Sequence, residues 1–511
     1  MAANPGVRAR PDSLAFPRDV TRIPQPDLPR QAGSEAIAPA VAVVSSTGEV
    51  AADRRGQISW ALVEFARNPY LSLILIFVFP TYFANVVVGD GVRGQEMWGL
   101  TNTMVSMVVG IIAPLLGAMS DRQGRRKTWL AGIFAIMIAC CWALWFAMPG
   151  AETGLPVPAI LMLTGSLLGC FLISEVFHNS ILPSIAPTER IGALSGLGLS
   201  LNNSGSLLVL MLMLFGVALP ASGIVDWRFL PDYPLFGLDP GKQEHNRVAG
   251  PLAGLWLLVF IVPFMLWTPD RRSTGVSMRQ AVLEGIGQIR ETIRQARRLS
   301  NVGVYLLARM FYNDGKVAII AYSGIYAAGT FHWQLVEMLL FAMLLTPFSI
   351  MGGVLGGWLD SRFGSKAAIR ITIGVTALAT LGAVSCASDR VFFVPFDAAQ
   401  AGTISAFPYF QTLPEAVYLG LYMVLACFIT AAFATSRSMM ARIAPVSMMS
   451  QFFGLYALSG SATAFLGHGM VTLFTATFDS QSIGLGSAVI LLSVGLVLMQ
   501  RVAEERVPEV V

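Results

Sequence analysis

Seven residues combine ionisable or strongly polar side chains with apolar surroundings. Glu175, His178 and Asn179 lie in the apolar stretch 157–182, and Arg309, Asn313, Asp314 and Lys316 in the stretch 303–329. Ionisable groups at bilayer depth are costly to bury, so each is a functional hypothesis. Asp314 and Glu175 are candidates for proton or cation coupling. Arg309 and Lys316 would pair with those carboxylates or hold an anionic group of a substrate, and Asn313 joins them as a substrate contact. A structural ion pair tying two halves together is the alternative, because buried ions are normally paired. An offset of five residues aligns Arg309 poorly with Asp314, so partners on other helices are expected. Glu175, His178 and Asn179 share one helical face, and Gly315 can loosen the helix beside Asp314. His178 is read as close to water with a hydrogen-bonding role, and His468 as a packing residue. Asn202 and Asn203 suit packing hydrogen bonds or substrate contacts. No metal-ligand cluster and no His beside a plausible nucleophile occurs. The expectation is therefore not an enzyme, with no cofactor and no metal.

These groups need helices to carry them through a membrane. The chain has 511 residues, 55% apolar and 13% charged, with a mean hydropathy of +0.64. A soluble chain would carry roughly 25% charged residues. The apolar excess falls in blocks of about twenty residues, enough to cross a hydrocarbon core. Twelve spans are predicted: 69–89, 98–119, 128–149, 157–182, 194–219 and 249–268, then 303–329, 334–359, 367–387, 415–436, 451–475 and 482–500. Basic residues crowd alternate loops: Arg122, Arg125, Arg126 and Lys127; a run from Arg271 to Arg298; Arg362, Lys366 and Arg370; Arg437 and Arg442. The positive-inside rule puts these loops and both termini in the cytoplasm.

Residues 1–57 hold seven prolines, seven arginines and six acids with few large apolar residues, the composition of a disordered cytoplasmic tail. Residues 58–268 form a first six-helix bundle, 269–300 a cytoplasmic linker, 301–500 a second bundle and 501–511 a short tail. In the linker Val282, Ile286, Ile289 and Ile293 recur at helical spacing among arginines, as in an amphipathic helix on an anionic leaflet or a solvated linker helix. The five cysteines all fall in apolar blocks and read as packing residues. A net charge of +4 is too small to indicate nucleic acid.

An internal repeat divides the spans. After span two comes Gly117, then Asp121-Arg122, Gly124, Arg125, Arg126 and Lys127. After span eight come Gly356, Asp360, Arg362, Gly364 and Lys366 at matching places. Glycine permits close helix approach, aspartate can accept from a helix N-terminus or pair with arginine, and the bases stay on one side. The first copy resembles the signature loop of the major facilitator superfamily and the second its weaker repeat. The resemblance implies an all-α membrane protein of twelve transmembrane helices in two six-helix pseudo-repeats. It also implies that these two loops latch one state of an alternating-access cycle.

Further stretches narrow the resemblance: Trp60 to Tyr70 before span one, Val176 to Pro187, Arg309 to Gly315, Gly324 to Gly329, Ser436 to Arg442, and Phe453 to Tyr456. Together they resemble the vacuole-effluxer-like branch and its bacterial "unknown major facilitator" group. Val63-Glu64-Phe65 departs from a usual Tyr-Asp-Trp-like run, and His178 from a usual tyrosine. The resemblance implies secondary active transport of a small solute, with export and amino-acid efflux as its extension; protons as a coupling partner are read from the buried carboxylates. A lipid or lysolipid transporter and a non-transporting sensor are the alternatives. A monomer in the bacterial inner membrane is expected.

Overall fold

In the computed structural model the first helix begins well before the first apolar run. The structure describes residues 50–123, 125–149, 154–224, 228–270, 300–396, 408–443 and 463–504, with a few isolated residues between. The Asp53 carboxylate accepts from Gly56 N at 2.7 Å and starts α1, Arg54–Val87, as a helix cap does. Span one was expected from 69, because Glu64 and Arg67 interrupt the apolar run. Both lie inside α1, and so does the whole stretch from Trp60 to Tyr70 that sequence placed before it. The helix thus starts within the segment read as tail.

Two prolines shape α1. Pro69 has no N–H to give Phe65 O, and the backbone widens to π-helical geometry over Tyr70–Phe77. Pro80 is followed by a second such stretch, Phe83–Val87. Loss of a donor and ring clash with the preceding turn explain both. The Phe65 carbonyl is satisfied from outside, by Trp256 Nε1 at 3.0 Å.

The remaining helices follow in chain order: α2 Gly91–Gln123, α3 Arg126–Phe146, α4 Val157–Ile185 and α5 Thr188–Met213, which continues through Leu214–Ala218 and Leu219–Ser222. Then come α6 Glu244–Trp267, α7 Ser300–Phe331, α8 Leu335–Phe363, α9 Ser365–Val384, α10 Leu413–Ile443, α11 Ala464–Phe478 and α12 Gln481–Gln500. Nine of these, among the described residues, are long and apolar enough to cross a membrane. Of the others, α7 interrupts its apolar run with Arg309, Asp314 and Lys316, and α11 is described for 15 residues. Exposed side chains on α6 and α12 include Leu255, Leu258, Val262, Ile490 and Val497; in lipid such faces need no cover. The expected amphipathic helix over 282–293 lies outside the described residues.

Helix pairing repeats with a step of six. In the first half α1 packs on α5 and α6, α4 on α2 and α3, and α3 on α6. In the second half α7 packs on α11 and α12, α10 on α8 and α9, and α9 on α12. This is the two-repeat scheme of the major facilitator fold. A close approach joins α8 and α10, where a Cβ on Gly352 would sit 2.1 Å from Cys427 O and one on Gly356 2.8 Å from Ala431 O. Small residues let backbones meet in this way. Gly353 and Gly357, equally prominent in the sequence, face open space.

The halves touch along α2 and α11, α7 and the distal part of α1, and α5 and α8. Gln95 Nε2 donates to Thr475 Oγ1 at 2.9 Å, and Gln481 Nε2 to Gly91 O at 2.7 Å. Ser222 Oγ and Tyr409 Oη stand 3.4 Å apart. These bonds between the halves, among the described residues, lie on the side away from the basic loops. A short hairpin, β1 Arg390–Val391 and β2 Val394–Pro395, pairs antiparallel on that same side.

Candidate functional site

Two buried polar groups form, one in each half. Arg67 on α1 and Asp314 on α7 both stand about 20 Å in from the basic end of their helix, at 1.5 Å per residue.

In the first half Arg67 grips Glu64, with Nη2 donating to Oε1 at 2.8 Å and Oε2 at 2.9 Å, and Nε to Oε2 at 3.2 Å. The Arg67 side chain is 5% exposed and that of Glu64 16%, so the pair is largely out of water. One turn of helix sets the i,i+3 spacing. Arg67 also reaches α4: Nη1 lies 3.5 Å from Ser174 Oγ and the guanidinium stands over the Phe171 ring at 5.1 Å. His178, read from sequence as close to water, is fully buried. Its ring stacks on Trp60 with centroids 4.5 Å apart. Trp60 Nε1 donates to His178 O at 3.0 Å, and His178 Nε2 lies 2.9 Å from Trp60 O. His178 Nδ1 faces Glu64 Oε1 at 3.3 Å. Glu175 and Asn179 are exposed, so the expected common face is divided: His178 turns to α1 while its two neighbours turn away. Asn68 Nδ2 donates to Asn202 O at 2.5 Å, a packing bond between α1 and α5.

Four buried residues on α7 form the second group. Arg309 finds its partners across helices, as its spacing suggests, but none is acidic. Its Nη1 donates to Tyr456 O at 2.7 Å and Ser459 Oγ at 2.6 Å, and its guanidinium covers the Tyr456 ring at 3.6 Å. Asn313 Nδ2 points to Gly460 O at 3.4 Å. Asp314 is fully buried, and neither carboxylate oxygen has a hydrogen-bond partner, although Thr463 lies beside it. Lys316 is fully buried too. Its Nζ has no hydrogen-bond partner and rests 3.6 Å from the Phe433 ring centroid and 5.4 Å from that of Tyr312. No ion pair among described residues joins these four to an acid or base in either half, so the expected tie between halves is not formed here. His468 contacts the Tyr322 hydroxyl at 3.2 Å, a packing bond as expected.

The repeated loops are only partly in view. Gly124, the surroundings of Gly117 and the side chains of Asp121 and Arg122 lie outside the described residues. Arg125 adopts a left-handed backbone, with φ of 55°. Arg126 donates from Nη1 to Ser180 O at 2.5 Å, and Lys127 Nζ to Met265 O at 3.0 Å and Thr268 O at 2.5 Å. In the second copy Asp360 accepts from Arg442 Nη2 at 3.0 Å and from Ser365 Oγ, while Arg362 is exposed. Gly364 has φ of 82° and admits Glu504, which accepts from Ser365 N at 2.5 Å and Lys366 N at 3.3 Å.

Residues 97–509 match the family described as vacuole effluxer Atg22 like. The chain belongs to that family. The match spans most of the chain and takes in the α7 cluster. The MFS-type transporter YxiO of Bacillus subtilis, named as uncharacterized, is 22% identical over 453 residues, 88% of this chain and 94% of that protein. Autophagy-related protein 22 of Saccharomyces cerevisiae is 21% identical over 383 residues, 65% of each chain. Among solved structures, the D-xylose-proton symporter superposes with a TM-score of 0.58 at 11% identity, over 89% of this chain and 97% of that one. The nucleoside transporter NupG gives 0.56 at 10% identity, over 87% and 97%. At such identities the likeness shows the fold. This Atg22-like chain is an integral membrane transporter of the major facilitator type, and its family setting implies a small-molecule substrate.

Sequence reasoning missed Glu64 and Arg67 as site residues. Their signal was present: an acid and a base three apart, followed at once by an apolar run. The apolar run begins only at Pro69, so both residues fall before the predicted span.

Proposed function

We propose that this protein is a secondary active transporter that exports a small solute by rocking its two six-helix halves around a midplane site. Protons drive it, and Asp314 is the coupling carboxylate. One observation carries this reading: Asp314 is fully buried with no ion-pair partner among the described residues and only the Thr463 hydroxyl beside it. An ionised carboxylate without partners costs several kcal/mol there, whereas a protonated one is far cheaper. The helix that carries it, α7, also packs against both α1 and α2 of the other half. A change of protonation at Asp314 is thus coupled to the element that must move.

Glu175 is a second coupling candidate, exposed on α4. Arg309, Asn313 and Lys316 offer donors for a substrate carboxylate, which suits amino-acid efflux as the family resemblance implies. The loop residues Asp360 and Arg362, with Asp121 and Arg122 as their counterparts, latch one conformation of the cycle. Both termini lie in the cytoplasm of a bacterial inner membrane, and the chain acts as a monomer.

The test uses proteoliposomes of the full chain, a pH gradient and labelled amino acids, with labelled lysolipid as a second cargo. Asp314→Asn should abolish gradient-driven amino-acid flux while expression and melting temperature hold. Unchanged gradient-driven flux in that variant overturns the coupling role. Flux of lysolipid alone replaces the solute reading with lipid transport.

A further inference from the structure

The hydrogen bonds of His178 imply a proton that the α7 cluster does not account for. His178 Nε2 lies 2.9 Å from Trp60 O. A carbonyl oxygen only accepts, so Nε2 carries the hydrogen and donates it. In a neutral imidazole the other nitrogen, Nδ1, then holds a lone pair. Nδ1 faces Glu64 Oε1 at 3.3 Å, outside hydrogen-bond geometry, and makes no hydrogen bond. A lone pair set against a carboxylate oxygen, with His178 fully buried, is a repulsive arrangement in a medium that screens poorly. One added proton removes the repulsion, either as imidazolium or as a carboxylic acid donating to Nδ1.

The charged groups around this contact are few. The groups that face His178 are Glu64 and Arg67 from α1, and Glu175 lies within electrostatic reach of Arg67, one residue beyond Ser174. Among the described residues, α6 brings the neutral Phe264 ring, and near it stands the Lys127 ammonium of α3, held by two α6 carbonyls, with the Asp270 carboxylate accepting from Lys127 N. Arg126 of α3 reaches α4 lower down, at Ser180 O. Glu64 and Arg67 already balance each other and Glu175 is exposed, so the inference rests on the contact between His178 Nδ1 and Glu64 Oε1.

We propose that Glu64 and His178 form a proton-binding site in the first half, with Trp60 fixing the imidazole tautomer and Arg67 fixing the carboxylate. On binding, a proton from water becomes bonded between Glu64 Oε1 and His178 Nδ1; on release it returns to water and the two acceptors repel. That repulsion would separate α1 from α4, the helices joined at this contact. The role in the cycle rests on the proton-linked reading above, but the site itself does not.

The decisive measurement is nitrogen-15 magnetic resonance of histidine-labelled full chain in liposomes, with no cargo present. His178→Gln assigns the His178 signals among the four histidines. At neutral pH, Nδ1 should be protonated or hydrogen-bonded by an acid, and should lose that signature as pH is raised. Glu64→Gln should move this titration by at least a tenfold change in proton affinity, and Asp314→Asn should leave it in place. A bare Nδ1 beside an ionised Glu64 at neutral pH, seen in the unaltered protein, overturns the proposal whether or not the variants fold. Loss of flux in Asp314→Asn with an intact His178 titration separates the two coupling sites. A bare Nδ1 with intact proton-driven flux removes this site alone.

Discussion

A methyl group added to Gly352 would stand 2.1 Å from the carbonyl oxygen of Cys427, so α8 and α10 meet backbone to backbone at that point. Neither side can yield without shifting a helix. Gly352→Ala should therefore destabilise the protein by about 1–3 kcal/mol, the usual cost of overpacking. Gly353→Ala, one residue along and facing open space, should stay within about 0.5 kcal/mol of the parent. Thermal unfolding in detergent distinguishes them. Equal melting temperatures for the two variants would contradict the assignment of faces on α8.

Trp256 offers a second comparison, on the other half. Its indole nitrogen satisfies Phe65 O, the carbonyl left without a helical donor by Pro69. Trp256→Phe keeps most of the ring and removes the donor. The orphaned carbonyl should cost about 1–3 kcal/mol. Replacing Pro69 by Ala in the same background restores a donor from within α1 and should recover much of that loss. A double-variant cycle in the melting assay measures the recovery.

How much of this was legible beforehand depends on which physical signal each feature emits. Hydropathy and the positive-inside rule respond to long apolar runs and flanking bases, so most of the twelve segments and the repeated loops were readable. The same filter hid Glu64 and Arg67, because a neutralised ion pair inside a helix looks like the end of a span. Charge and depth pointed correctly to the burial of Asp314 and Lys316. They could not show that Arg309 binds a carbonyl, a hydroxyl and a ring face on another segment instead of an acid, since that depends on how the helices meet. His178 was misjudged for a similar reason: nothing local announces that Trp60, far away in the chain, will cover it.

Glu504 tests the basic end of the second half. Its carboxylate accepts from Ser365 N and Lys366 N at the start of α9 and lies 3.5 Å from Arg442, whose other contact is Asp360. The capping bonds are local and barely screened, while the Arg442 side chain is 44% exposed. Glu504→Ala should therefore lower stability by about 1 kcal/mol, as loss of a cap does. Arg442→Gln should cost less than about 1 kcal/mol, and only at low salt. Melting curves at two ionic strengths separate the terms. A salt-sensitive loss in Glu504→Ala would mean that the ion pair, not the cap, dominates.

Lys316 separates a structural from a functional burial most sharply. Its ammonium has no acceptor and is held only by the faces of Phe433 and Tyr312. Ring contact recovers about 2 kcal/mol when desolvated, less than the several kcal/mol that burying an ion costs. The residue is therefore a net liability to the fold in this state. Met has a similar length, no charge and a polarisable sulfur that suits aromatic surroundings. Lys316→Met should then melt at the same temperature as the parent or higher. If the ammonium serves transport, flux in proteoliposomes should fall to the level of empty vesicles in the same variant. A lower melting temperature would show instead that Lys316 stabilises the fold, and that its partners lie in a state other than this one. Lys316→Arg completes the comparison: it keeps the charge but needs a wider slot, so it should lose stability and restore flux only in part.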